Sequence, residues 1–86
     1  MNPKDLIDAV RKALDEQGFS MPMSKGRDAV ARLLYGAAYS PVIASCNAGS
    51  LAAANINEVG VADIKSRYGE AKANLAIEVA RRYLSN

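Results

Sequence analysis

Apolar residues at the start of the chain recur at helical spacing. Leu6, Ile7, Val10, Ala13 and Leu14 fall three and four apart, while Asp8, Arg11, Lys12, Asp15 and Glu16 take the opposite side, the pattern of one buried helix face. Asn2 can cap this helix, Pro3 suits its first position because its missing N–H is not needed there, and Gly18 suits a left-handed stop after Gln17. Asp8 with Lys12, Arg11 with Asp15 and Lys12 with Glu16 stand four apart and are expected to pair along the solvent face. Residues 19–24 read as a turn around Pro22, with Phe19 and either Met21 or Met23 tucked under it.

Ser24 is placed to cap a second helix whose apolar stripe is Ala29, Val30, Leu33, Leu34 and Ala37, with Asp28 and Arg32 paired outside. It is expected to fray near Gly36. Ser40 before Pro41 is another helix start, carrying Val42, Ile43 and Cys46 to Gly49, and Ser50 restarts a short turn over 51–56. Residues 41–56 also have the layout of a hairpin, two short apolar runs around Asn47-Ala-Gly-Ser. Alanine at 44, 48, 52, 53 and 54 favours helix, because alanine is a poor strand former.

A loop over 57–60 precedes one long final element running to about Leu84. On a wheel of about 100° per residue, Val61, Ile64, Tyr68, Ala71, Leu75 and Val79 share a continuing face. From Ala73 onward, Ala76, Ile77, Ala80, Tyr83 and Leu84 widen the arc, so the last turns are expected to touch two neighbours, with Leu75, Ile77, Val79 and Leu84 largely buried. Gly69 interrupts the element as a bend, a close helix crossing or a tolerated glycine. The pattern predicts an all-α, four- to five-helix bundle in a single domain, residues 1–86, with the first, second and last helices as its core.

Charge distribution adds what periodicity does not. Residues 33–57 carry no charged side chain, although 20 charges lie on either side: six basic and five acidic before, five basic and four acidic after. In a chain of 86 residues most positions are near the surface, so a neutral stretch this long is either folded inward or covered by something else. Net charge is +2 and the signs are mixed, which is not the clustered positive face of a typical nucleic-acid binder. The stretch is long enough to span a bilayer, but its Gly, Pro, Asn and Ser content argues against insertion. A lone Cys46 cannot form an internal disulfide, and the first residues return to charge at Asp8, Arg11 and Lys12 too soon for a signal peptide. A reducing, cytoplasmic location is expected.

Catalytic templates find little to use. There is no histidine, hence no usual general base, triad member or metal ligand. The carboxylates Asp8, Asp15, Glu16, Asp28 and Glu78 each stand three or four residues from a basic partner, as solvated helix faces do. Cys46 sits mid-way through the neutral stretch with no charge nearby in sequence to lower its pKa, and reads as a small apolar residue. Asn47-Ala-Gly-Ser lacks the spacing of a phosphate loop. No enzyme, catalytic residue, metal, cofactor or small-molecule substrate is expected.

Two modes of contact remain. The first is a small accessory or regulatory protein that self-associates as a homodimer or binds another protein. Its contact would be the 35–56 segment and the C-terminal arc, with Tyr35, Tyr39, Val42, Ile43, Leu51, Leu75, Val79 and Tyr83 as interface residues; tyrosine, apolar at one end and polar at the other, suits such surfaces. The second is a DNA-binding transcriptional regulator with a degenerate helix-turn-helix over 27–47, contacting DNA through Lys25, Arg27, Arg32, Ser45, Asn47, Arg81 and Arg82. Against it, Ala31 lies five positions before Gly36 where the motif prefers four, and the would-be recognition helix holds no Arg or Lys.

Overall fold

The computed structural model describes residues 1–85 and contains five helices and no strand among them: α1 Pro3–Glu16, α2 Met23–Tyr35, α3 Tyr39–Asn47, α4 Glu58–Tyr68 and α5 Glu70–Leu84. The chain is all-α. Helices α1, α2, α4 and α5 pack in a closed ring, α1 against α2, α2 against α4, α4 against α5 and α5 back against α1, while α3 lies outside on α1 and α2. The Cα radius of gyration is 11.6 Å, near the ~12 Å of a compact chain of this length. Among the described residues no helix is long and apolar enough to cross a membrane.

The first helix follows its sequence closely. Asn2 Oδ1 accepts from the Asp5 N–H at 2.8 Å, Pro3 opens the helix, and Leu6, Ile7, Val10 and Leu14 are buried. Its acids, however, do not all serve their own helix. Asp8 binds Arg27 across on α2 at 3.2 Å and Arg11 at 3.8 Å rather than Lys12, and Asp15 accepts from Ser20 rather than pairing with Arg11. Helix α2 offers Asp8 a partner, and the following turn offers one to Asp15, that a single-helix reading cannot see.

Phe19 is buried under the α1–α2 turn with the Tyr68 ring edge-on at 5.1 Å, and Met21 packs on the core, but Met23 is 55% exposed. Lys72 of α5 lies 5.1 Å over the Phe19 ring and donates to the Gly18 carbonyl at 3.1 Å, tying the last helix to the first turn. Helix α2 starts at Met23, so Ser24 lies inside the first turn and caps nothing.

Between α4 and α5 the expected continuous helix is broken. Gly69 adopts φ 96° and ψ 166°, a backbone region essentially reserved for glycine, and α5 sets out on a new phase. The face that turns inward is therefore Ala73, Ala76, Val79 and Ala80, with Leu75, Ile77, Tyr83 and Leu84 only half-buried. As expected, α5 touches two neighbours, α4 and α1. Its inward face is lined mostly with alanine, so the large buried side chains come chiefly from α1 (Ile7, Val10, Leu14) and α2 (Val30, Leu33, Leu34), with Ile64 of α4 joining them.

Among the glycines, Gly60 of α4 makes the tightest approach to a neighbouring backbone. A Cβ there would stand 2.2 Å from the backbone N and Cα of Leu33, so α4 lies directly on the α2 backbone, and only a residue without a side chain permits it.

Candidate protein-contact surface

The neutral stretch is folded inward only in part. Its first part, the end of α2, buries Leu33 and Leu34, but from residue 35 through 57 Val42 alone is fully buried. Ser40, Pro41, Ala44, Asn47, Ala48, Gly49, Ser50, Ala52, Ala53 and Asn55 are exposed. Helix α3 and the segment after it thus form a continuous surface of hydroxyls, amides, methyls and backbone with no charge on it.

Helix α3 has neither an N-cap side chain of its own nor a strong amphipathic pattern, and it is positioned from outside. Asp28 on α2 reaches across the turn, its carboxylate accepting from the Tyr39 N–H at 2.9 Å, the service an N-cap residue normally gives. The Arg27 guanidinium lies 5.1 Å from the centre of the Tyr39 ring, a favourable cation–π distance. Val42 drops into the core between these fixtures. The helix begins one residue before Ser40, which leaves Pro41 still within the first turn, where no N–H is required.

Residues 51–57 form neither the expected helical turn nor a hairpin strand. They run as an irregular strap across the end of α2, with the Asn55 and Asn57 N–H groups donating to the carbonyls of Leu34 and Leu33 at 2.9 and 2.8 Å. These carbonyls are orphans of the helix terminus, so the strap closes α2 while seating itself. Its own irregularity is fixed by the two asparagines: Asn55 Oδ1 accepts from the Ile56 N–H at 2.9 Å and the Asn57 amide donates to the Asn55 carbonyl at 3.2 Å. Between strap, α3 and α1 lies a 370 Å³ concavity lined by Leu6, Tyr35, Cys46, Leu51 and neighbouring small residues. Burial, with Cys46 adding to it, pushes the Tyr35 phenol above its ordinary range, so the ring remains uncharged across neutral pH.

The expected interface residues divide into two groups. Tyr35, Tyr39, Ile43 and Leu51 are half-buried on or beside the neutral surface, and Leu75 and Tyr83 are half-buried on α5. Val42 and Val79 are core residues, 1% and 0% exposed, and are unavailable to a partner. Val42 is what seats α3, and Val79 is buried, as its place on the apolar face of the last element predicts. A second open face lies between the strap end and α5, a groove of about 990 Å³ where Ile77 and Leu84 of the C-terminal arc meet Ile56, with Asn55, Asn74 and Arg81 also lining it.

The residues of the DNA reading are arranged differently. Helix α2, a turn over 36–38 and α3 do make a helix, turn and helix. Yet Arg27 is held by Asp8, and Arg32 approaches Asp63 at 4.0 Å. Lys25 and Arg32 share a small cavity with Asp28, Asp63 and Arg67, in which the signs nearly balance. Asn47 is exposed, but Ser45 is half-buried and its carbonyl accepts from the Ser50 N–H at 2.9 Å. Arg81 is exposed and Arg82 holds Glu78 at 2.9 Å, the pairing their spacing suggests. Among the described residues no three His, Cys, Asp or Glu side chains gather as a metal site. Comparison with known proteins finds no family model, no curated protein and no solved structure that matches this chain.

Proposed function

We propose that this protein is a non-enzymatic accessory or regulatory protein that works by contact, docking its charge-free surface over 35–56, together with the outer side of α5, on a second copy of itself or on another protein. The observation that carries the reading is the placement of the neutral stretch on the outside. Charged side chains keep a protein surface from associating, and the desolvated centre of a protein contact is depleted in them. Here 25 consecutive neutral residues supply such a surface: Leu33, Leu34 and Val42 go to the core and Tyr35, Ala37, Tyr39, Leu51, Ala54 and Ile56 pack half-buried against it, while the small and polar residues between them stay exposed. Two tyrosines stand at its edge, and the segment is pinned by Asp28 and by the α2 carbonyls, so little ordering is needed on docking.

A lysine scan tests it. Ala44, Ala48 and Ala53 are exposed, so lysine at each leaves the melting temperature unchanged, whereas lysine at a position inside a contact must be desolvated without a partner. Sedimentation of the wild-type chain is expected to show association at micromolar concentration, lost in at least one of the three variants and retained with lysine at Ser66, exposed on the charged side. A chain that stays monomeric to about 1 mM, where even weak binding registers, overturns self-association, and association indifferent to all three lysines overturns the assignment of this surface.

The helix, turn and helix formed by α2 and α3 keep DNA binding as the second reading. A gel shift at two salt concentrations separates the two: DNA binding would tighten with each added lysine and weaken steeply with salt, the opposite of a lost protein contact.

A further inference from the structure

We propose that two copies of the chain associate through α5, antiparallel about a two-fold axis beside Ile77, so that Arg81 of each copy pairs with Glu70 of the other. This rests on the contact reading above and names the surface that receives the second copy. The inward face of α5 is committed to the core through Ala73, Ala76, Val79 and Ala80. On its outer side, Glu70, Asn74, Ile77, Arg81 and Leu84 succeed one another at intervals of four and three, the repeat of a seam between two helices. Ile77 and Leu84 are half-buried, and Ile56 of the strap stands beside them, giving the 990 Å³ groove an apolar floor.

Charge decides the occupant and its direction. Glu70 and Arg81 are exposed, and neither has an ion-pair partner among the described residues, whereas Glu78 already holds Arg82 at 2.9 Å. A parallel pair of α5 helices would set Glu70 against Glu70 and Arg81 against Arg81. An antiparallel pair centred on Ile77 sets unlike charges together twice. With a rise of about 1.5 Å per residue, Glu70 lies about 10 Å from the axis and Arg81 about 6 Å, leaving an offset of about 4 Å that an arginine side chain spans. Asn74 falls within the same reach and can accept from the guanidinium. The arrangement is isologous, each copy giving and receiving the same contact. A dimer of ordinary size covers about 800 Å² per partner, about a sixth of the 4928 Å² of accessible surface here, so the strap end and the α5 stripe act together.

The test is a charge exchange followed by sedimentation equilibrium from about 5 µM to about 1 mM. Glu70→Arg and Arg81→Glu are each expected to weaken dimerisation about tenfold or more, because like charges then face one another, and the double variant is expected to restore it. Glu70→Gln repeats the loss without placing a cation in the first turn of α5, where it would oppose the helix dipole; a thermal melt confirms that every variant is folded. Dimerisation indifferent to the single changes, a double variant no better than either single, or a wild-type chain monomeric throughout overturns the pairing. If lysine at Ala44, Ala48 or Ala53 abolishes association and the charge exchange leaves it untouched, the contact reading stands and the α5 pairing falls. The reverse result keeps α5 and removes the neutral surface.

Discussion

Replacing Gly60 with alanine places one methyl group where α4 meets α2, and the consequence can be worked from the geometry. The new Cβ would lie 2.2 Å from Leu33 N and Cα and 2.4 Å from the Arg32 carbonyl carbon, against 3.4 to 4 Å for ordinary contact. All three are backbone atoms of a helix and cannot swing aside, so the two helices must part by about 1 Å or more, an overpacking that costs about 1 to 3 kcal/mol and occasionally more. Leu33 also accepts the Asn57 N–H at 2.8 Å, with Leu34 accepting from Asn55 beside it. Loosening these strap bonds adds about 0.5 to 1.5 kcal/mol each. Alanine returns about 1 kcal/mol through its better helix propensity. The net expectation is a loss of about 2 to 3 kcal/mol, or about 10 to 20 °C in melting temperature for a domain of this size. Thermal and urea denaturation followed by circular dichroism measure it. A Gly60→Ala chain that melts at or above the wild-type temperature refutes the close crossing, because that is how an open helical glycine behaves.

Other expectations follow from single contacts. Asp28→Ala removes the external cap of α3 and should cost about 1 kcal/mol, with faster amide exchange confined to the first turn of that helix. Ile64→Ala and Leu75→Ala delete the same number of carbons from a fully buried and a half-buried site; denaturant melts should give about 3 to 4 kcal/mol for the first and about half as much for the second. Tyr35 has a raised folded-state pKa from burial and then from Cys46. Its contribution is complete below the unfolded value near pH 10 and is lost as pH rises through the folded one. Tyr35→Phe should flatten that alkaline decline, and a decline equally steep in the variant would contradict the burial of the phenol.

What the sequence reveals depends on whether the signal is local. Helix α1 is readable in full, because cap, first-turn proline, apolar stripe and stop all lie within its own residues. Gly36 likewise ends α2 as expected, with φ 77°. The missed features are those whose cause lies elsewhere in the chain. Gly69 breaks a helix whose flanks both look helical, and the reset phase leaves Val79 buried as its periodicity predicts but moves Leu75 to the edge. Gly60 carries no periodic signal, yet it sets the α2 to α4 distance. Asp28 looks like a partner for Arg32 four residues on, but it serves Tyr39 once the turn brings α3 back. Residues 51–56 fit helix or hairpin by composition, and neither forms; the Asn55 and Asn57 amides bind the open end of α2 instead. The charge-free run stands out in the sequence; that it lies outside, apart from Val42, Leu33 and Leu34, could be learned only from the fold.

The central claim is that the uncharged surface is where this protein makes contact, and amide hydrogen exchange at two concentrations tests it most directly. The N–H groups of Leu51, Ala52, Ala53 and Ala54 donate to no protein group among the described residues, so they exchange fast in the isolated chain. At about 1 mM, where even weak association is populated, the account predicts slowed exchange over residues 39–56 and on α5, with the charged side of α2 and α4 unchanged. Exchange over 39–56 that is identical in dilute and concentrated samples, or protection that appears on the Lys25 and Arg32 side and only when duplex DNA is added, would contradict it.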